Sequence, residues 1–395
     1  MNLNKQTKIA IISHFTYKEG EETEVFPGNI RKFLLKKIKE VVYIDHSFIQ
    51  SQGVLTDFPA SQIRIYDEGI KKYQLTSPKI KLPMLILFVY QFILTIVFML
   101  VKPTKYDICI ACDNLSVISV VVLRKLGIIR KLVYYTVDYS QRRYSNSILN
   151  SLYHHMDRLA SKVSDANWVV VENMITAKKQ NGLNLQKSAP FQVVPIGFDT
   201  EAVSIKPVEK INRFNLIFVG ILFEKQGLQL VIEILPKLIK KFSKVRLTII
   251  GSGPFEQQLK ELVESKNLKS YVEFTGYWND HQKIVQFLTA CGGIGIATYV
   301  PSIGDYTYFA DPSKIKLYLT CGLPVITSKV PPIAKEIVKN NAGFAINYSE
   351  EELLNSLSIL LKDEKIYSGY RNNILKLINL YDNNLILNEA FKKLS

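Results

Sequence analysis

Short runs rich in β-branched residues alternate with longer amphipathic stretches from one end of the chain to the other, and that alternation admits few folds. A run of about four to eight such residues is the length of a strand buried on both faces, and a longer stretch of helical periodicity carries the chain back. Repeated, the pattern builds parallel sheets covered by helices on both sides. The strand candidates are KIAIISHF, EVVYID, SQIRIY, YDICIA, KLVYYTV, ANWVVVE and FQVVPIG, then FNLIFVG, VRLTIIG, YVEFTG, GGIGIAT and LPVITS. Leu228–Phe242 and Phe255–Ser265 read as helices between strands. The 395 residues exceed one ordinary domain, since domains run roughly 100–200 residues. A charged, proline-containing stretch, Thr200–Arg213, parts the two sets of strands. The expected division is residues 1–199 and residues 205–375, with a terminal helix at about 381–394 packing back on the first domain.

A formal charge of +15 asks for an anionic partner: nucleic acid, an acidic membrane surface or a phosphorylated ligand. Zinc-finger spacing, RNP-type aromatic motifs and basic heptads are all absent from the sequence, so no nucleic-acid partner is expected. Cys109 and Cys112 form a C-x-x-C at a strand and its end, where a spacing of three points the thiols to opposite faces. They read as small buried hydrophobes rather than a redox or metal pair. KIAIISHF is too short an apolar run for a signal peptide, and the reducing cytosol is the expected compartment.

From Leu82 to Val101 no residue is charged, and Lys79, Lys81, Lys102 and Lys105 flank the run. Its length suits a membrane span of about 20 residues. A span, however, would put the strands before it and after it on opposite sides of the membrane, and the first sheet could not close. Tyr90, Gln91 and Thr95 form a weak polar stripe, the face such a helix would turn to water. The basic segment Asn29–Glu40, with Arg31, Lys32, Lys36, Lys37 and Lys39, adds attraction to anionic lipid. The expectation is a protein peripheral on the inner face of the cell membrane, the alternative a soluble buried helix.

The second half carries the informative residues. Gly220 ends FNLIFVG and is followed by ILFEKQG, with Lys225 at the turn into a helix; a glycine there lets backbone approach a phosphate, and the helix N-terminus attracts anions. Gly251 and Gly253 end the next strand in TIIGSGP, and Tyr277 and Trp278 follow Gly276. TYFADPSKIKLYLTCGLPVITS runs a loop through Asp311 into a helix whose first turn holds Ser313, Lys314 and Lys316. Cations there oppose the helix dipole, a cost that a bound diphosphate offsets. The ordinary alternative is a β–α turn with solvated lysines.

In this order, VVPIGFD, FVGILFEKQG, IIGSGP, VEFTGYW and DPSKIKLYLTCGLPVI resemble the family 4-like (group 1) glycosyltransferases, strongly from Val193 to Tyr348 and faintly before. The resemblance implies an α/β protein of two Rossmann-like domains facing across a cleft (GT-B). It also implies a nucleotide-sugar-dependent glycosyltransferase that retains anomeric configuration. The Gly220 loop and a nearby lysine would hold the donor diphosphate, Gly276–Trp278 would lie by the base, and the helix from Pro312 would border ribose and phosphates. Most members carry arginine at Ile221, lysine at Gln226, and paired glutamates at Phe309 and Leu317; Asp305, Asp311, Lys314 and Lys316 are the polar residues nearby.

In the first half, His14 follows the first strand, Asp113 and Asn114 follow YDICIAC, and Asp138 follows KLVYYTV, all at strand ends. His14 and Asp138 are the catalytic candidates. The family often has a histidine near Asp138, contacting the donor sugar, and a carboxylate there can bond sugar hydroxyls. Arg142 and Arg143 are candidates for an anionic acceptor, whereas His154, His155 and Asp157 read as non-metal. The partners expected are a nucleotide-diphosphate sugar, a lipid-linked or glycan acceptor and an anionic membrane surface. Beyond the nucleotide-sugar co-substrate no cofactor or metal is expected. A non-catalytic partner subunit of the same fold, or a sugar-nucleotide epimerase, remains the alternative.

Overall fold

The computed structural model describes residues 3–14, 26–46, 60–80, 82–101, 104–201, 203–301 and 306–394; Lys81, Lys102 and Asp305, singled out above, lie outside them. The chain forms two compact units, the first made of residues 1–195 and 384–395, the second of residues 196–383.

The first unit runs β1 (Lys8–His14), α1 (Gly28–Lys37), β2 (Glu40–His46), β3 (Ser61–Asp67), β4 (Ile70–Thr76), α2 (Met84–Val101), β5 (Tyr106–Ala111), α3 (Asn114–Lys125), β6 (Ile129–Thr136), α4 (Ser147–Val163), β7 (Ala166–Val169), α5 (Asn173–Gln180) and β8 (Phe191–Val193). Its sheet has the order β4-β3-β2-β1-β5-β6-β7-β8. The strands from β2 to β8 are parallel, and β3 and β4 extend one edge as an antiparallel hairpin. β4 was not among the sequence candidates. IKKYQLT is exposed along nearly its whole length, so no buried face disciplines its pattern, and Lys71 and Lys72 protect a free edge. The signal was the turn: Glu68 and Gly69 both take positive φ, 51° and 79°, as a two-residue hairpin loop requires.

The second unit runs β9 (Asn215–Val219), α6 (Leu228–Lys241), β10 (Arg246–Ile250), α7 (Glu256–Ser265), β11 (Val272–Gly276), α8 (His281–Cys291), β12 (Ile294–Ala297), α9 (Ser313–Thr320), β13 (Val325–Ser328), α10 (Ala334–Lys339), β14 (Gly343–Ile346), α11 (Glu350–Lys362) and α12 (Glu364–Leu377). Its sheet is wholly parallel, with the order β11-β10-β9-β12-β13-β14. Every residue of β9 is buried because successive side chains feed different cores: Leu216 and Phe218 join α6 on one face, Ile217 and Val219 join α9 on the other. The unit takes in Ile196 because Asp311 accepts its N–H (2.9 Å) and the Lys316 ammonium donates to its carbonyl (3.1 Å). A last helix, α13 (Asn383–Lys392), returns the chain to the first unit, where Phe391 stacks on Phe33 (5.9 Å) and meets Trp168 edge-on (5.3 Å).

Helix α2 does not cross a membrane, since β1 before it pairs directly with β5 after it. Its polarity is reversed from the expectation. Gln91 and Thr95 are each only 1 % exposed and face inward, while Leu85, Ile86, Val89, Ile93, Val97, Leu100 and Val101 are between 44 and 60 % exposed. Inside, Thr95 donates to the Gln91 carbonyl (2.9 Å) and pairs with His46 (2.7 Å), so the stripe is consumed by the core. The basic segment does not share this surface. Arg31 is buried between the rings of Tyr43 and Tyr66, both at 5.5 Å, whereas α2 packs with Val42, Ile44, Ile63 and Ile65, the alternate residues of the same strands. α1 and α2 therefore cover opposite faces of the sheet.

Candidate functional site

Each sheet has one place where neighbouring strands send their helices to opposite faces. In open α/β sheets this switch point, at the carboxyl ends of the strands, is where ligands bind. In the second unit it lies between β9 and β12, since α6 belongs to one core and α9 to the other.

The loops there are built for close backbone approach. Gly220, Gly251 and Gly253 come from the turns after β9 and β10, and a Cβ on Gly251 would lie 1.9 Å from the Gly220 carbonyl oxygen. Gly227, at φ 76°, precedes α6, and a Cβ on it would lie 1.7 Å from the Thr298 carbonyl oxygen at the end of β12. Only glycine satisfies both the space and the positive φ. Neither Gly227 before α6 nor Pro312 before α9 makes a side-chain cap hydrogen bond, so among the described residues these caps leave the first N–H groups of either helix open.

Lys314, in the first turn of α9, reaches into this place. Its Nζ lies 3.7 Å from the centre of the Phe218 ring, donates to Gln226 Oε1 (2.6 Å) and stands 3.1 Å from where a Cβ on Gly220 would be. Burial pushes the Lys314 ammonium well below the ordinary lysine range. Lys225 lies over the Phe223 ring in the turn before Gly227, and its carbonyl accepts the Val300 N–H (3.0 Å). Ser313 opens α9 half-buried, and Tyr277 is exposed beyond β11 with Asn279 beside its hydroxyl (3.4 Å). Asp311 and Lys316 are placed differently: they form a buried ion pair that also fastens Ile196. Of the positions where most of the family has glutamate, Phe309 ends a short 3-10 turn and Leu317 lies in the apolar core.

In the first unit the switch point lies between β1 and β5, which lead into α1 and α3 on opposite faces. His14 and Asp113 meet there: the Asp113 carboxylate accepts from His14 Nδ1 (2.9 Å) and from the His14 backbone N–H (3.0 Å). The pairing was not legible beforehand, because the two residues are joined only through strands that neighbour in space and not in sequence. Asp138, one strand further on, is exposed and accepts from Arg143 Nη1 (3.0 Å). It makes no hydrogen bond to His14 among the described residues, since β5 intervenes and two strand spacings are roughly 10 Å. Lys178 and Asp157 form a buried pair beneath Tyr134 and Tyr139, a structural use of residues near the same strand ends.

The family model for group 1 glycosyl transferases matches residues 213–363. The chain is 23% identical over 256 residues to the putative colanic acid biosynthesis glycosyltransferase WcaL of Escherichia coli, covering 64% of this chain and 60% of that protein. It is 24% identical over 172 residues to the amylovoran biosynthesis glycosyltransferase AmsK of Erwinia amylovora, covering 43% of this chain and 42% of that one. The chain thus spans 60% or less of the length of these curated relatives. Among solved structures, Anabaena HepE in complex with UDP-glucose superposes with a TM-score of 0.66 at 17% identity, over 98% of this chain and 99% of that one. Sucrose-phosphate synthase from Thermosynechococcus elongatus gives 0.68 at 14% identity, over 98% and 99%. Two doubly wound units, each with its own switch point, define a protein of the GT-B fold. Its second unit carries the match to the group 1 glycosyl transferase model.

Proposed function

We propose that the protein transfers a glycosyl group from a nucleoside-diphosphate sugar to a lipid-linked or glycan acceptor at the inner face of the cell membrane. The observation that carries the donor half is the second unit's switch point, where glycine turns, two uncapped helix N-termini and the Lys314 ammonium converge. Such a place suits a diphosphate. Lys314 delivers its charge from α9 to Gln226, the position where most of the family has lysine, and so supplies from another element a cation at that position. With Lys225 and the amide groups it would stabilise the departing nucleoside diphosphate without a metal. Asp138 remains the candidate for bonding sugar hydroxyls. Retention of anomeric configuration is carried by the family resemblance alone.

The membrane half rests on the reversed polarity of α2. Seven exposed apolar side chains on one helix, with its polar residues turned inward, are costly in water and favourable in lipid. Tyr73 and Leu75 of β4 pair with Ile65 and Ile63, which share α2's face of the sheet, and so extend the apolar surface to the edge.

Purified protein tested against UDP, UDP-glucose, UDP-N-acetylglucosamine and GDP-mannose should show a raised melting temperature with at least one nucleotide. A ligand at 100 times its Kd adds about 2.7 kcal/mol to stability, enough for a shift of several degrees. Melting unaffected by all four would remove the donor site proposed here.

A further inference from the structure

We propose that Tyr318 is a positioning residue for the donor site: its hydroxyl holds the ends of β9 and β12 apart at the second unit's switch point, and Lys314 crosses the sheet through the opening this leaves; this rests on the donor reading above. The ladder between the two strands pairs Ile294 with Leu216 and Gly295 with Ile217. The Gly295 N–H donates to the Pro324 carbonyl beside β13 (2.9 Å), so the next residue, Ile296, turns its backbone groups toward β9. Continued at that register, a parallel ladder would have the Val219 N–H donate to the Ile296 carbonyl. It does not. The Val219 N–H donates to the Tyr318 hydroxyl (2.7 Å), which in turn donates to the Ile296 carbonyl (3.3 Å). One side-chain oxygen thus stands where a backbone bond belongs. It allows the donor and acceptor up to about twice the roughly 2.9 Å separation of a direct bond.

The wedge is built into the fold. Tyr318 is fully buried, and Gly295 makes the room for its ring, since a Cβ there would lie 2.4 Å from ring carbons. Past the hydroxyl the two strand ends take other partners. The N–H of Gly220, directly after Val219, donates to the Ile250 carbonyl of β10 (3.0 Å). The Thr298 hydroxyl, directly after β12, donates to the Gly227 carbonyl before α6 (3.0 Å).

Lys314 stands four residues before Tyr318, one turn away on the same side of α9. It starts on the face of the sheet where α9 packs with Val219 and Tyr299, and the Tyr299 ring lies 5.6 Å from its Nζ. Nζ ends 3.7 Å from the centre of the Phe218 ring, in the core on the α6 face, and donates to Gln226 in the turn before α6 (2.6 Å). The side chain therefore passes from one face to the other where the ladder is interrupted. A direct Val219–Ile296 bond would draw the strands together across that path and hold the ammonium on the α9 side, away from the Gly220 turn. The Tyr318 hydroxyl, engaged by two backbone groups, acts on the donor through the place it gives Lys314.

The test uses the full chain with UDP, or with GDP if GDP-mannose is the ligand that raises the wild-type melting temperature. Tyr318→Phe keeps the ring and removes the oxygen. It should weaken binding of the nucleoside diphosphate by about tenfold or more, the lower end of what loss of a charge-assisted bond to phosphate brings. Binding of the free nucleoside should stay within about twofold of wild type, the scatter of independent sites. Because the effect runs through Lys314, the same change made in a Lys314→Met background should alter diphosphate affinity by less than about twofold. Unchanged diphosphate affinity in Tyr318→Phe, a parallel loss of nucleoside binding, or equal losses in the two backgrounds would each overturn the assignment. Should the phenylalanine variant not fold, a crystal structure of the wild type with the bound nucleotide decides. The hydroxyl should still bridge Val219 and Ile296 with Nζ on a phosphate oxygen, and a direct Val219–Ile296 bond, or Nζ away from the phosphates, would overturn the assignment. A wild-type protein that binds none of the four ligands would overturn the donor reading itself and this inference with it.

Discussion

Serine at Ile86, Val89 and Ile93 together should move the protein from the membrane pellet to the supernatant and leave its melting temperature nearly unchanged. All three lie on the outer stripe of α2 and touch solvent over about half their surface, so each loses little on the protein side. Full burial of such side chains is worth roughly 1.5–3 kcal/mol each. Half of that, summed over three, is roughly 3 kcal/mol of lipid affinity, or about a hundredfold in partitioning. The contrasting change is Thr95→Val, which makes the helix more apolar and yet should destabilise the protein. It strands the buried His46 Nε2–H, a loss of about 1–3 kcal/mol. A triple-serine protein that unfolds, or a Thr95→Val protein that melts higher than wild type, would show that α2 faces the other way.

Lys314→Met should weaken nucleoside-diphosphate binding by about 10- to 150-fold, while binding of the free nucleoside is retained. The range follows from the roughly 1.5–3 kcal/mol of a charge-assisted bond to phosphate. The wild-type protein should also take up a proton on binding. Burial holds the Lys314 pKa low in the unliganded fold, and a diphosphate beside Nζ raises it again. Between those two values affinity falls as pH rises. For folding the sign is opposite: the unfolded chain binds the proton more readily, so stability rises with pH from the depressed folded value up to the unfolded value of about 10.4. Calorimetry in two buffers of different ionisation enthalpy reads the uptake directly. Buffer-independent heats in the wild type, or unchanged affinity in the methionine variant, would place the phosphate elsewhere.

The strands that face two cores were readable because burial on both sides forces unbroken apolar runs such as NLIFV, and twelve of these runs became strands. β4 and β14 were missed for opposite reasons: β4 has almost no buried face, and GFAI is too short to stand out. The polarity of α2 could not be read from hydropathy. A polar stripe on an apolar helix has the same periodicity whether it meets water or, like Gln91 and Thr95, a buried histidine on a neighbouring strand. The lysines of α9 show the same limit. Lys314 and Lys316 stand two residues apart and look equivalent, but two positions on a helix differ by about 200°, which sends one to the glycine turns and the other to Asp311. Likewise the His14–Asp113 pair depends on the order of strands in the sheet, which local pattern does not encode.

The path of the chain has a consequence for synthesis. Phe391 fills the space between Phe33 and Trp168, so a core assembled from residues near the start is closed by a residue near the end. The second unit is contiguous, and all of residues 196–383 can leave the ribosome before the first unit has its last helix. The usual order, in which the part made first folds first, is therefore inverted. For most of translation the rings of Trp168 and Phe33 wait without their final cover. A ribosome-stalled chain ending at residue 383 should accordingly be cut by protease in its first two hundred residues and resist in the rest.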